Sequence, residues 1–275
     1  TSLHILLILG FLVALLIHCV LRDKPDKDNL LAPKKHIEIN LHDKTDIITK
    51  LSSIIKNPQI WLIGLVGALF YLPSSVIGDV WGIPYLKHVY HFTDKEASLT
   101  LSLFFAGWVI AGPFLGALSD HICKRCGLLI ASIGLDALLF SIIIFAPHFS
   151  SHLLPHYALF IMFFVIGAAT GTHPLVFALA KENYPNKIAG TVVAFTNMLT
   201  MVSGIIFQPI VGMLLDYSHH SLHTHAIQHY TSANYTFALS IIPISLLLSI
   251  AVMLFIKETG HSLVAEPPQD DLYII

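Results

Sequence analysis

Three side chains able to take up or release a proton fall inside long apolar runs: Asp79, Asp136 and His173. An ionisable group in hydrocarbon is costly, so each is a functional candidate by default. Asp136, within Gly134-Leu135-Asp136-Ala137, lies closest to the middle of its run. His173 belongs to Gly167–Pro174, a small, polar, breakable stretch, and imidazole titrates near physiological pH. Two intramembrane aspartates raise aspartyl proteolysis as a remote alternative, since paired carboxylates can share one proton. That chemistry needs both acids at one depth, and Asp79 lies well outward of Asp136.

Two further clusters have ligand-like spacing. His219, His220, His223, His225 and His229 crowd one polar loop, which reads as a flexible loop before it reads as a metal trap. Cys123 and Cys126 form Cys-x-x-Cys, and with His121 they give three soft ligands, one short of a closed zinc site. No metal or cofactor is assigned to either. The sequence lacks a Gly-x-x-x-x-Gly-Lys-Ser/Thr loop, so nothing points to ATP-driven chemistry.

The elements that must hold these groups are set by composition. The chain has 275 residues, 55% hydrophobic and 12% charged, about half the charge of an average soluble protein. That is the composition of an integral membrane protein whose partner is the lipid bilayer. The net charge of −2 gives no reason to expect nucleic acid. Leu3–Leu21 is apolar and long enough to cross a hydrocarbon core of about 30 Å. A polar, charged linker with Pro25 and Pro33 follows, with room for one short amphipathic helix over Thr45–Ile55. Six more apolar segments come after it: Gln59–Leu86, Ala97–Leu118, Gly127–Ala146, Pro155–Ala180, Ile188–Leu215 and Tyr235–Ile256. Runs of this length satisfy their own backbone hydrogen bonds as helices. The expectation is an all-α membrane protein with seven transmembrane helices.

Alternation across seven spans puts 13 of the 15 Lys and Arg on one side, with only Lys87 and Lys95 opposite. By the positive-inside tendency the N-terminus is outside and the C-terminus cytoplasmic, in a cell inner or plasma membrane.

One stretch carries a family likeness. Gly107–Arg125, GWVIAGPFLGALSDHICKR, runs from an apolar helix with Gly112 and Gly116 four apart into Asp120, Lys124 and Arg125. The pair of glycines suits close approach of a neighbouring helix. The spacing Gly116-x-x-x-Asp120-x-x-x-Lys124-Arg125 resembles the loop signature of the major facilitator superfamily, with His121 and Cys123 departing from it. Lys181-Glu182-Asn183-Tyr184-Pro185, Gly190-Thr191 and Lys257-Glu258-Thr259 are similar to helix ends common in that family.

The resemblance implies that residues 1–21 are the sixth helix, 22–57 the central cytoplasmic loop, 58–257 the six-helix C-terminal half, and 258–275 a cytoplasmic tail. Helices one to five would then be a missing N-terminal half and a partner of this chain. It implies a permease rather than an enzyme, moving a small organic solute by alternating access, with proton coupling through Asp79, His173 or Asp136. A non-transporting remnant or assembly partner of a split carrier is the alternative. In such an architecture substrate sits near mid-membrane, with the seventh and tenth helices lining the cavity. Tyr71, Ser74, Ser75, Trp81 and Tyr85 are the candidates on the seventh helix, and Thr170 and His173, three apart, would share a face of the tenth. Thr196, Asn197 and Thr200 would share a face of the eleventh, of which Asn197 is taken as the cavity residue, while Gln208-Pro209 marks a kink. Gly116, Asp120, Lys124 and Arg125 would form the gating loop, with Asp120 bridging to a neighbouring helix end.

Overall fold

A computed structural model describes residues 2–20, 51–122, 124–149, 153–184, 188–222 and 230–258. Most of the linker, Cys123, three of the loop histidines and the tail from residue 259 lie outside them. Two compact units divide at Lys44. The first contains α1 (Ser2–Val20), apolar over its 19 residues.

The second unit is a bundle of six helices, each long and apolar enough to cross a membrane: α2 (Pro58–Tyr90), α3 (Asp94–Ile122), α4 (Arg125–Phe149), α5 (His156–Glu182), α6 (Ala189–Leu222) and α7 (Ser232–Met253). No strand occurs among the described residues. The expected all-α membrane architecture is therefore what forms, with six spans in the second unit and a shorter apolar helix, α1, in the first. Ahead of α2, residues 51–55 are helical, within the stretch expected to hold an amphipathic helix.

Local sequence sets the helix ends. Asn57 accepts from the Gln59 amide at 3.0 Å, and Pro58 follows at the first helical position, where its missing N–H costs nothing. Thr231 and Asn234 form a reciprocal capping box at the start of α7. Several hydroxyls are satisfied within their own helices: Thr100 donates to Glu96, Ser141 to Ala137 and Thr196 to Val192. The outer surface is apolar, with Val109, Phe114 and Ile205 about three-quarters exposed, as lipid contact requires.

Helix α3 packs along α5, α2 packs against α6 and α7, and α4 packs against α5 and α7. Glycines make the closest crossing. A Cβ at Gly107 would lie 2.2 Å from the Phe164 carbonyl oxygen, and one at Gly167 only 1.8 Å from that of Phe104. A turn further on, a Cβ at Gly171 would lie 3.0 Å from the Gly112 nitrogen. The close approach expected of Gly112 is real, but its companion is Gly107. Gly116 has open space where its side chain would be, because it lies past the crossing point.

Two spans are interrupted. In α2, Ser74–Trp81 is a π-helical segment beginning just after Pro73. In α5, residues 171–174 form a tight turn ending in Pro174.

Candidate functional site

The turn in α5 follows from Pro174, which offers no N–H and would clash with the carbonyl four residues back. The chain tightens instead, with the amides of Thr172, His173 and Leu175 donating three residues back at 2.8–3.1 Å. This places the buried ring of His173 against α2. Its Nε2 lies 3.3 Å from the Gly67 carbonyl oxygen, which can only accept, so Nε2 carries the hydrogen. Gly67 is also where α6 comes close, since a Cβ there would lie 2.6 Å from Thr200 Oγ1.

Four aromatic rings surround that imidazole. Phe70, Tyr71, Trp108 and Phe177 have centroids 5.4–6.2 Å from it, at tilted or edge-on angles. Tyr71 and Trp108 in turn meet edge to face at 6.4 Å. Helices α2, α3 and α5 thus converge on one hydrogen-bonding ring inside an aromatic box.

The π segment lies one turn along α2 from this box. Ser74 is buried and its hydroxyl has no hydrogen-bond partner. Ser75 returns its hydroxyl to Leu72 and offers its carbonyl to Gln208 Nε2 at 2.9 Å. Gln208 then accepts from the Trp81 indole through its own backbone carbonyl at 3.3 Å, while the Trp81 ring lies over Gly212. A single residue of α6 therefore ties down both ends of the π segment. Asp79 is exposed on that segment.

Other expected site residues go elsewhere. Tyr85 faces away from the box, buried against α4 and α7, with its phenol on the Ile143 carbonyl at 2.8 Å. Thr170 does not share a face with His173: its hydroxyl crosses to Asp136 Oδ2 in α4 at 2.9 Å. Asp136 is buried there, and its Oδ1 has no partner. Asn197 is exposed, whereas Thr196 and Thr200 are buried, so these three do not present one face.

At the opposite level, Arg125 joins two helix ends. Its Nη2 is 3.0 Å from Asp120 Oδ1 at the end of α3, and its Nε is 2.7 Å from Glu182 Oε1 at the end of α5. The Cys126 amide donates to Glu258, just past α7, at 3.2 Å. Lys124 is exposed. The bridge expected of Asp120 therefore runs through Arg125 and includes Glu182. Among the described residues no group of three or more His, Cys, Asp or Glu converges as a metal site.

From the sequence Gln208 is legible only as part of a kink with Pro209, and neither Trp108 nor Glu182 is expected as a site residue. A lone amide inside an apolar run was the available signal for Gln208, and Glu182 stood in the quoted helix-end motif. Trp108 is indistinguishable from core by sequence.

Comparisons with known proteins agree with this architecture. The family profile of the Major Facilitator Superfamily matches residues 2–209 and again 65–271. The chain belongs to the major facilitator superfamily. Among solved structures, the fold resembles the inward-open conformation of the xylose transporter XylE from E. coli, with TM-score 0.56 and 14% identity. That match covers 76% of this chain and 48% of XylE, so the chain spans about half the length of that transporter. No curated protein matches the sequence.

Proposed function

We propose that this chain is the C-terminal half of a secondary carrier that moves a small organic solute by alternating access, coupled to protons. The observation that carries the reading is the His173 box, assembled where α5 breaks and one turn from the π segment of α2. Interrupted helices lining a polar pocket at mid-membrane are a recurrent way to bind solute and to bend between access states. Tyr71, Trp108, Ser74 and His173 supply rings, a spare hydroxyl and an imidazole, which suit a neutral or zwitterionic solute. Asp79 and His173 are the proton-moving groups on the α2 side of the pocket.

In this reading the Arg125 end of the bundle is cytoplasmic, and helices one to five of a partner segment complete the cavity. Cysteine labelling tests the orientation: Ser221 should label from outside and Lys181 only from the cytoplasm. Transport is tested in proteoliposomes holding the full chain together with its helix one-to-five segment, under an imposed pH gradient. Uptake of at least one solute from a neutral and zwitterionic panel, abolished by collapsing the gradient, is expected. Absence of uptake by a well-folded assembly would instead favour a non-transporting remnant.

A further inference from the structure

The break in α5 has two sides, and the His173 box occupies only one. On the other, Thr170 ends the first part of the helix with its hydroxyl on Asp136 Oδ2 at 2.9 Å. Asp136 stands at the middle of α4 and is 1% exposed. Its second oxygen, Oδ1, is buried without any partner. A carboxylate in such a place would hold its charge on a single hydrogen bond from a neutral hydroxyl, which is a costly way to bury an anion.

Among the described residues no cationic side chain is paired with that carboxyl. Helix α5 carries His156, Lys181 and Glu182 only towards its ends, and His173 directs its ring at Gly67 of α2. Helix α7 brings Tyr235 at one end and Lys257 and Glu258 beyond the other. The ionisable groups of α3 (Asp94, Lys95, Glu96, Asp120, His121) and of α4 itself (Arg125, Cys126, His148) are terminal, as are Tyr85, Lys87, His88 and Tyr90 of α2. A cation larger than a proton would need several ligands, and among the described residues no group of three or more His, Cys, Asp or Glu converges here.

We propose that Asp136 is a proton-binding site outside the solute pocket, linked through Thr170 to the turn at residues 171–174. With the proton bound, the carboxylic acid is neutral, one bond to Thr170 suffices, and the turn keeps its short-range bonds. When the proton leaves, Asp136 is an anion short of hydrogen-bond donors. The donors that follow Thr170 along the chain are the Gly171 and Thr172 amides, now engaged by Gly167, Ala168 and Ala169. Recruiting them unwinds the turn, and His173 shifts with it. Proton occupancy on the α4 side is thereby read on the α2 side. This rests on the carrier reading for its purpose, but its physical content does not depend on transport.

The test uses the full chain in lipid nanodiscs without any solute. Amide hydrogen exchange over residues 168–176, corrected for intrinsic rates, is followed from about pH 5 to about pH 9. In the wild type, raising the pH should lower protection of this segment about tenfold or more, because exchange reports the free energy of local opening. Asp136→Asn, a permanently neutral isostere, should hold the segment protected throughout. Thr170→Val should leave the acid titrating, visible as its carbonyl stretch in infrared difference spectra, while uncoupling exchange from pH. If Asp136→Asn misfolds, Thr170→Val and the wild-type infrared band still decide the matter. Wild-type pH dependence surviving in Asp136→Asn, or in Thr170→Val with the acid band present, would overturn the proposal. So would a wild-type spectrum without a protonated acid at any pH. Loss of transport with these signals intact would count against the carrier reading instead.

Discussion

Tyr85 donates its phenol hydrogen to the Ile143 carbonyl at 2.8 Å, across the interface between α2 and α4. That carbonyl is available because Pro147, four residues on, has no N–H to return to it. Tyr90 donates to the same oxygen at 2.6 Å. Proline leaves an orphan acceptor in the bundle, and two tyrosines of another helix satisfy it.

Tyr85→Phe or Tyr90→Phe should each cost about 1 kcal/mol, since one donor remains on the carbonyl. The double variant should lose more than the sum, because the buried oxygen is then unsatisfied. Thermal melting of the purified protein checks this. Solute affinity should be unchanged in Tyr85→Phe; a selective loss of affinity would return Tyr85 to the solute pocket.

Gly167→Ala should prevent normal folding or yield, because its Cβ would fall 1.8 Å from the Phe104 backbone oxygen, which cannot move alone. Overpacking of this kind costs roughly 1–3 kcal/mol or more. Gly116→Ala, with open space at the Cβ, should be tolerated and slightly favour the helix. Membrane yield and monodispersity in detergent separate the two, and equal behaviour would contradict the crossing geometry.

Arg125 has unequal partners. Glu182 is 18% exposed and Asp120 60% exposed. Glu182→Gln should therefore lower stability by roughly 1.5–3 kcal/mol, the range for bonds to charged groups. Asp120→Asn should cost about 0.2–1 kcal/mol, as exposed ion pairs do, and act mainly on turnover. Arg125→Lys should resemble the Glu182 variant, since an ammonium's donors radiate from one nitrogen and cannot replace Nε and Nη2 facing two separate carboxylates. Melting curves that rank Asp120 above Glu182 would reverse this assignment.

How far the sequence leads depends on which kind of property is asked for. The six spans were legible because about 20 apolar residues have one solution in a bilayer, and their boundaries follow from Asn57-Pro58, Asp120 and Lys257. Gly112 was legible as a packing residue from its spacing to Gly116, although its companion at the crossing is Gly107. Side-chain direction was not. The π segment adds a residue to the turn, which swings everything downstream in α2 by roughly 100° and carries Tyr85 around to α4. The tight turn at residues 171–174 likewise separates Thr170 from His173, which a regular helix would have placed on one face. Both departures come from interruptions that periodicity counts straight through.

Tyr230, which lies outside the spans, donates its phenol to Asp216 near the end of α6. That bond to a carboxylate, with partial burial added, raises the Tyr230 pKa above the usual phenol value. A folded value above the unfolded one means the bond's stabilisation is fully present below about pH 10 and is lost as pH climbs through the raised value. Asp216→Asn should bring the Tyr230 titration back towards the ordinary phenol range. Ultraviolet difference titration of the two proteins should show one tyrosine ionising earlier in the variant. Superimposable curves would mean that Asp216 does not hold the phenol in solution.

His173 is the residue on which packing and chemistry can be pulled apart. Its ring touches four aromatic neighbours, and its Nε2–H meets the Gly67 carbonyl. Phenylalanine keeps a ring of similar shape and loses only the N–H groups, so His173→Phe should fold with a penalty of about 1 kcal/mol. Alanine empties the box, so His173→Ala should cost roughly 2–5 kcal/mol, as large-to-small core changes do. If the imidazole moves a proton, both variants should lose gradient-driven uptake, although only the second is unstable. Solute exchange at equal pH on both sides should survive in His173→Phe, because it needs the pocket but no net proton movement. Gradient-driven uptake at the wild-type rate in His173→Phe would reduce His173 to an aromatic packing residue. The coupling role would then fall to Asp79 or to Asp136.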